Sequence, residues 1–283
     1  MSKCESNVNE LIVPELAGIP GTVSSRLSDF RGWRGDASAD VSELETAASD
    51  LEVCGLTVTA IDFANPCARY SEVSFELGGH VVHGRLIEPV GRARVSERVP
   101  LCLMFHDIDR PVRGWHHMTR FAAMGYAVLA LDDEVIGSSD LQQGITSPAF
   151  VERVRWGCAL AKAARNLDGM DPDRIFAWGE GLGGGVALAV SALDERGLAC
   201  TAVANPLPGG LEALSSRVRG PVLMGTSLMD IASDPKGQFA VFNGLECDRR
   251  HIIYAKYAHE RINAFENEVV DFFNQTFYPC SLA

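Results

Sequence analysis

The chain has 283 residues, of which 47% are hydrophobic and 22% charged, and its formal net charge at pH 7 is -12. This length favours one domain, since a single α/β domain of this size buries roughly 75% of its unfolded surface. The acidic balance argues against nucleic acid or an anionic membrane as a partner, because both attract basic patches. No apolar run approaches the roughly 20 residues of a membrane span. The N-terminus lacks the apolar stretch of a signal peptide, so we expect a cytoplasmic protein.

The eight cysteines include no Cys-x-x-Cys pair, and several lie in apolar runs. We interpret them as reduced, mostly buried side chains rather than disulfides or metal ligands. The glycine triplet Gly183-Gly184-Gly185 lacks the Lys-Ser/Thr that completes a phosphate-binding P-loop, and close packing of a helix on a strand explains it better. We therefore expect no cofactor and no metal.

Two parts of the chain differ in their hydrophobic pattern. Residues 1–50 are rich in Ser, Asp, Glu and Gly, which predicts a loosely structured arm with a short helix over residues 41–51. Residues 51–283 are predicted to form one domain that begins with alternating strands over 56–63 and 71–77. Gly78-Gly79 then marks a turn, and residues 80–87 complete an antiparallel hairpin.

After Pro100 the strands become continuous apolar runs, which are typical of a parallel sheet buried on both faces. The predicted strands cover residues 101–105, 127–131, 175–178, 200–204, 222–225 and 252–255. The helices alternating with them cover residues 115–124, 150–166, 182–193, 238–245 and 262–273. Such alternation predicts right-handed crossovers and a mostly parallel, doubly wound sheet. With the N-terminal antiparallel hairpin, this is the α/β-hydrolase fold.

The segment around Gly181 has the form of a nucleophile elbow, a sharp turn between a strand and a helix. The elbow pattern is Gly-x-Ser-x-Gly. Gly179 and Gly183 fill the outer positions, but glycine stands in place of the serine. Glycine has no side chain that can attack a substrate.

The residues from about 56 to 273 resemble, in consistent order, the acetylxylan esterase and cephalosporin C deacetylase family, whose elbow reads Gly-Gly-Ser-Gln-Gly-Gly-Gly. Further matching segments are Phe105-His106, Met124–Val128 with Asp132, Gly225–Asp230, Phe239–Asn243 and Tyr254–Glu260. The resemblance implies a carbohydrate esterase whose triad has the order Ser, Asp, His.

The resemblance also implies roles for individual residues. Asp230 would orient His259, and His259 would act as general base for a nucleophile at position 181. The oxyanion hole would use the backbone N–H groups of Ile108 and Leu182. Because these donors belong to the backbone, they can survive a change of side chain.

Several residues depart from the family pattern besides Gly181. Glu180 and Leu182 stand where the family has Gly and Gln, and Asp107-Ile108 stands where it usually has Gly-Tyr. The segment between residues 205 and 222 is shorter than in the relatives, which leaves the substrate site and the homo-oligomer of the family open. Acids at positions 107, 109 and 132–134 are interpreted as solvated loop residues, together with a strand-end aspartate in the hydrogen-bond network of the sheet, rather than as a cation site.

Three functions fit this pattern. The first is a degenerate esterase that is weak or inactive because removing a triad serine costs about a million-fold in kcat. The second is a binding scaffold for a small acetylated ester, a sugar or a partner. The third is an ester hydrolase in which His259 activates water directly. We also expect Gly181 to relax the strained elbow backbone.

Overall fold

A computed structural model describes residues 9–12, 14, 21–32, 39–90, 98–108, 114–132 and 137–277. Within these residues, ten strands form one sheet. The strands are β1 (Asn9–Ile12), β2 (Val53–Ile61), β3 (Ala68–Leu77), β4 (His80–Pro89), β5 (Val99–Phe105), β6 (Ala127–Leu131), β7 (Met170–Glu180), β8 (Thr201–Ala204), β9 (Val222–Ser227) and β10 (Arg249–Tyr254). The helices are α1 (Gly21–Asp29), α2 (Ser42–Ala48), α3 (Trp115–Ala123), α4 (Pro148–Ala164), α5 (Leu182–Leu193), α6 (Pro235–Gly244) and α7 (Asn263–Phe277).

The strand order across the sheet is β1-β10-β9-β8-β7-β5-β6-β4-β3-β2. Seven neighbouring strands pair in parallel, namely β1, β10, β9, β8, β7, β5 and β6. The sheet continues with β4, β3 and β2, which pair antiparallel. The predicted hairpin is confirmed as β3 and β4, joined at Gly78-Gly79, where both glycines have positive φ. The α/β-hydrolase architecture predicted from the sequence is thus the observed one.

The core lies on both faces of the parallel strands. All seven residues of β5 and all five of β6 are buried, as the continuous apolar runs require. Helix α5 is buried from Leu182 through Ser191, because it lies over the middle of the sheet. A side chain on Gly183 would overlap the carbonyl oxygen of Phe105. Close packing of α5 on β5 therefore accounts for that glycine.

The structure extends several predicted elements. Strand β7 begins at Met170 rather than at residue 175, because Met170 pairs with Val99 across the sheet. In the predicted arm, Asn9–Ile12 pairs in parallel with β10, and the predicted short helix is Ser42–Ala48, with Leu44 in the core. The boundary between residues 50 and 51 stays a prediction.

The described cysteines are free thiols, whereas Cys4 and Cys280 lie outside the described residues. In the part of the chain that the structure describes, no helix combines the length and the apolar character that crossing a membrane requires.

Candidate active site

Four loops meet at the carboxyl ends of the central strands. Asp107 follows β5, Gly181 follows β7, Asp230 follows β9 and His259 follows β10. The chain leaves β5 for β6 on one side and returns to β7 on the other. Ligands of α/β proteins bind where the strand order reverses in this way. The fold therefore brings Asp107 and Gly181 together at its expected ligand-binding position.

The elbow keeps a backbone conformation with positive φ although it lacks the serine. Gly181 has φ 53° and ψ -121°, a conformation that glycine adopts far more readily than other residues. Its N–H donates to the carbonyl oxygen of Ala204 at 2.9 Å, and its own carbonyl oxygen accepts from the N–H of Gly185 at 3.1 Å. These bonds fix the turn between β7 and α5.

The carboxylate of Asp107 occupies the space above this turn. Its Oδ1 accepts the backbone N–H of Ile108 at 2.8 Å and that of Leu182 at 2.9 Å. A Cβ atom added to Gly181 would lie well under 3.0 Å from the same Oδ1, closer than real Cβ atoms come. Asp107 thus fills the position of a serine side chain and engages both backbone donors that the resemblance assigned to the oxyanion hole.

His259 lies between two carboxylates. Its Nδ1 donates to Oδ2 of Asp230 at 2.7 Å, and its Nε2 donates to Oδ2 of Asp107 at 3.1 Å. The other oxygen of Asp230 accepts the backbone N–H groups of Ala232 and Ser233, each at 2.8 Å. Asp230 is therefore held by the backbone and in turn fixes the imidazole ring.

The two carboxylates determine the protonation of the site. Burial lowers the pKa of His259, but the hydrogen bonds and negative charges of Asp107 and Asp230 outweigh it and raise that pKa to about 10. Burial likewise raises the pKa of Asp107, yet the bond to His259, its charge and the N–H groups of Leu182 and Ile108 bring it below its usual value. At neutral pH the site is a chain of carboxylate, imidazolium and carboxylate.

A small cleft opens beside this chain of charges. Asp107, Gly181 and His259 line it together with Glu180 and Arg261. It encloses about 20 Å³, enough for one water molecule. Glu180 is buried in the wall of this cleft.

The described residues contain no group of three or more His, Cys, Asp or Glu side chains arranged to hold a metal ion. The acids at positions 109, 133 and 134 lie outside these residues.

Asp107 was not predicted to belong to the site. Its side chain is only 13% exposed, and it contacts the elbow and His259. The sequence did contain a signal for this contact. Gly181 stands where the family has serine, and Asp107 stands where the family usually has glycine. Local pattern could not connect residues 74 positions apart. The fold brings four further residues together at the carboxyl ends of the central strands, but their assigned roles stay predictions: Asp230, His259, Ile108 and Leu182.

Solved structures of esterases share this architecture. Acetyl xylan esterase 1 from Thermoanaerobacterium sp. JW/SL YS485 matches with a TM-score of 0.75 and 18% identity, over 89% of this chain and 98% of that one. The acetyl xylan esterase from Paenibacillus sp. R4 matches with a TM-score of 0.70 and 19% identity, over 88% of this chain and 98% of that one. At such identities the likeness establishes the fold.

The sequence comparisons add the family. A curated relative, the quorum-quenching protein AidA of Acinetobacter baumannii (strain MDR-ZJ06), is 35% identical over 145 residues. The match covers 49% of this chain and 46% of AidA, so it spans about half the length of that relative. The sequence profile of acetyl xylan esterase matches residues 38–207 and 210–276. With most of its length matched, the chain belongs to the acetyl xylan esterase family of α/β-hydrolases.

Proposed function

We propose that this family member has lost serine-dependent acetyl-ester hydrolysis and holds the carboxylate of Asp107 where the serine would act. The single observation that carries the proposal is the position of Asp107 Oδ1, which accepts both backbone N–H groups above the elbow. A tetrahedral intermediate of acyl transfer needs such donors for its own oxyanion. A carboxylate already bound to them excludes that oxyanion and repels its negative charge.

His259 supports the same conclusion. A general base must accept a proton, but Nε2 of His259 already donates one to Asp107. With a pKa raised to about 10, the ring is an imidazolium at neutral pH. This argues against direct activation of water by His259 in the resting protein. Asp230 and His259 remain our candidates for an orienting and a proton-transferring residue once the charge on Asp107 is removed.

An acetyl-ester assay tests the proposal. We expect the wild-type protein to hydrolyse acetyl esters no faster than His259→Ala, and Gly181→Ser alone to gain little, because Asp107 still holds the donors. The double variant Asp107→Gly/Gly181→Ser frees the donors and supplies the nucleophile. We expect it to exceed the wild type by about 10²-fold or more, since the full serine effect is about 10⁶-fold. Wild-type turnover that His259→Ala abolishes would contradict the proposal.

Ligand binding is the second candidate function. A quorum-sensing signal is the candidate ligand, since a quorum-quenching protein is 35% identical over about half of this chain. Binding alone can lower the free concentration of a signal without turnover, and the site then needs no nucleophile. The test adds purified protein to a quorum-sensing reporter culture and then recovers the signal by denaturing the protein. Quenching with full recovery supports binding, quenching with chemical loss supports turnover, and no quenching excludes the candidate. Equilibrium dialysis with an acetylated xylo-oligosaccharide tests binding of the sugar ligand. Mass photometry of the protein tests whether it forms a homo-oligomer.

A further inference from the structure

The placement of Asp107 provides more than an obstruction. One carboxylate oxygen, Oδ1, rests on two backbone donors at 2.8 and 2.9 Å. The other, Oδ2, lies 3.1 Å from Nε2 of His259. The side chains of Asp107 and His259 are 13% and 18% exposed, so solvent reaches the pair. Carboxylates are established covalent nucleophiles in other enzymes.

We propose that Asp107 is a nucleophile that attacks small alkyl halides at their sp³ carbon and forms an ester that is then hydrolysed. In the first step Oδ2 forms a bond to the carbon, the carbon–halogen bond breaks, and the halide leaves with the bonding electrons. No acid is needed, because a halide departs without a proton. The product is an alkyl ester of Asp107 whose carbonyl oxygen is Oδ1.

The two donors distinguish this substrate class from acyl substrates. Attack on an acyl carbon creates an oxyanion on the substrate, and the Ile108 and Leu182 donors are already bound to Asp107. Attack on an sp³ carbon creates none. The negative charge develops only later, on Oδ1 itself, when water adds to the carbonyl carbon of the ester. The donors lie at 2.8 and 2.9 Å from that atom, within the range of an oxyanion hole.

His259 changes role when Asp107 is esterified. The ester carries no charge, so Asp230 alone faces the ring, the pKa of His259 falls, and its Nε2 proton passes to solvent. Neutral Nε2 then takes a proton from water, and hydroxide adds to the carbonyl carbon. Collapse breaks the bond between that carbon and Oδ2, and the departing alkoxide takes the proton from His259. The new carboxylic acid returns a proton to His259, so alkyl halide and water give alcohol, halide and one released proton.

Gly181 has a positive role in this scheme. A Cβ at that position would overlap Oδ1, so any other residue would push the carboxylate off its donors. Because Gly181 has no side chain, the side chain of Asp107 from the loop after β5 can reach the elbow. The cleft beside it has room for one water molecule and is lined by both Asp107 and His259, the two side chains that the hydrolytic water must reach.

The experiment uses 1-bromobutane with the full chain. We expect bromide release well beyond eight equivalents per protein, which is more than alkylation of all eight cysteine thiols could supply. In H₂¹⁸O, a single turnover should place ¹⁸O in Asp107, because water attacks the enzyme carbonyl and not the alkyl carbon. Peptide mass spectrometry localises the label. Asp132, an exposed carboxylate paired with Arg85, is the control and should stay unlabelled.

A second variant tests the intermediate directly. His259→Gln removes the base, so the butyl ester should accumulate on Asp107 and be detected as a mass increase on its peptide. Asp107→Asn should show neither adduct nor turnover, with circular dichroism checking that both variants fold. Absence of both ¹⁸O in wild-type Asp107 and a butyl adduct in His259→Gln would overturn the proposal. The two proposals fail separately, because acetyl-ester turnover bears on the loss of serine chemistry and haloalkane turnover on Asp107 alone.

Discussion

The two halves of the site contrast in how they relate to the family. The Asp230–His259 half has the residue types that the family resemblance implies, joined by a 2.7 Å hydrogen bond. The Asp107–Gly181 half departs from the family pattern. The elbow lacks the serine side chain, and the carboxylate of Asp107 from the facing loop fills its place. The contrast teaches that one half of the site keeps the residues that the resemblance implies, while in the other half a carboxylate fills the place of the missing side chain. A missing nucleophile need not leave a cavity.

The largest expected effect distinguishes the two carboxylates that flank His259. The side chain of Asp230 is fully buried and that of Asp107 is 13% exposed. Removing one partner of a buried charge pair costs about 3–5 kcal/mol, so Asp230→Ala should lower the free energy of unfolding by about that amount. Asp107→Ala should cost about 1–3 kcal/mol, because water can reach the freed N–H groups. Urea denaturation measures both.

The exposed pair Arg196–Asp173 provides the control for this comparison. Its side chains are 56% and 81% exposed, so Asp173→Ala should change the free energy of unfolding by less than about 1 kcal/mol. If Asp107→Ala lowered the free energy of unfolding more than Asp230→Ala, the predicted order of the two carboxylates would be contradicted.

A double-mutant cycle tests the exchange between Asp107 and Gly181. Gly181→Ser should destabilise the protein by about 3 kcal/mol, because backbone strain and overpacking each cost about 1–3 kcal/mol. With Asp107→Gly present, only the strain remains, about 1 kcal/mol. Gly79→Ser is a matched control, since Gly79 has φ 83° and open space around a built Cβ. Equal losses from Gly181→Ser in both backgrounds would show that the two positions are independent.

The pH dependence of stability sharpens the comparison further. His259 has its pKa raised from 6.5 to about 10, so its contribution to stability is full below pH 6.5 and is lost as the pH rises through 10. The stability difference between wild type and His259→Gln should therefore shrink by about 1–3 kcal/mol between pH 6.5 and 10, after allowance for solvent screening. Thermal or urea unfolding across this range measures it. A difference that grows with pH would contradict the imidazolium.

The fold was more predictable from the sequence than the site was. The buried strands β5 and β6 and helix α5 were predictable, because long apolar runs and strand–helix alternation are local signals. Strand β1 was not, since four residues carry little periodicity and Asn9–Ile12 is ordered by pairing with β10. Asp107 was missed for a related reason. Its environment is created by the return of the chain to β7, which brings Leu182 within 2.9 Å of its carboxylate.

The most direct test of the account is an NMR titration of His259 in protein labelled with ¹⁵N-histidine, with wild type, Asp107→Asn and Asp230→Asn compared. Carboxylates on both ring nitrogens predict that wild-type His259 keeps both N–H protons at pH 8 and titrates near pH 10. Asp107→Asn should titrate at a clearly lower pH. A wild-type ring that is neutral at pH 8, or that titrates identically in Asp107→Asn, would contradict the claim that Asp107 occupies the elbow and pairs with His259.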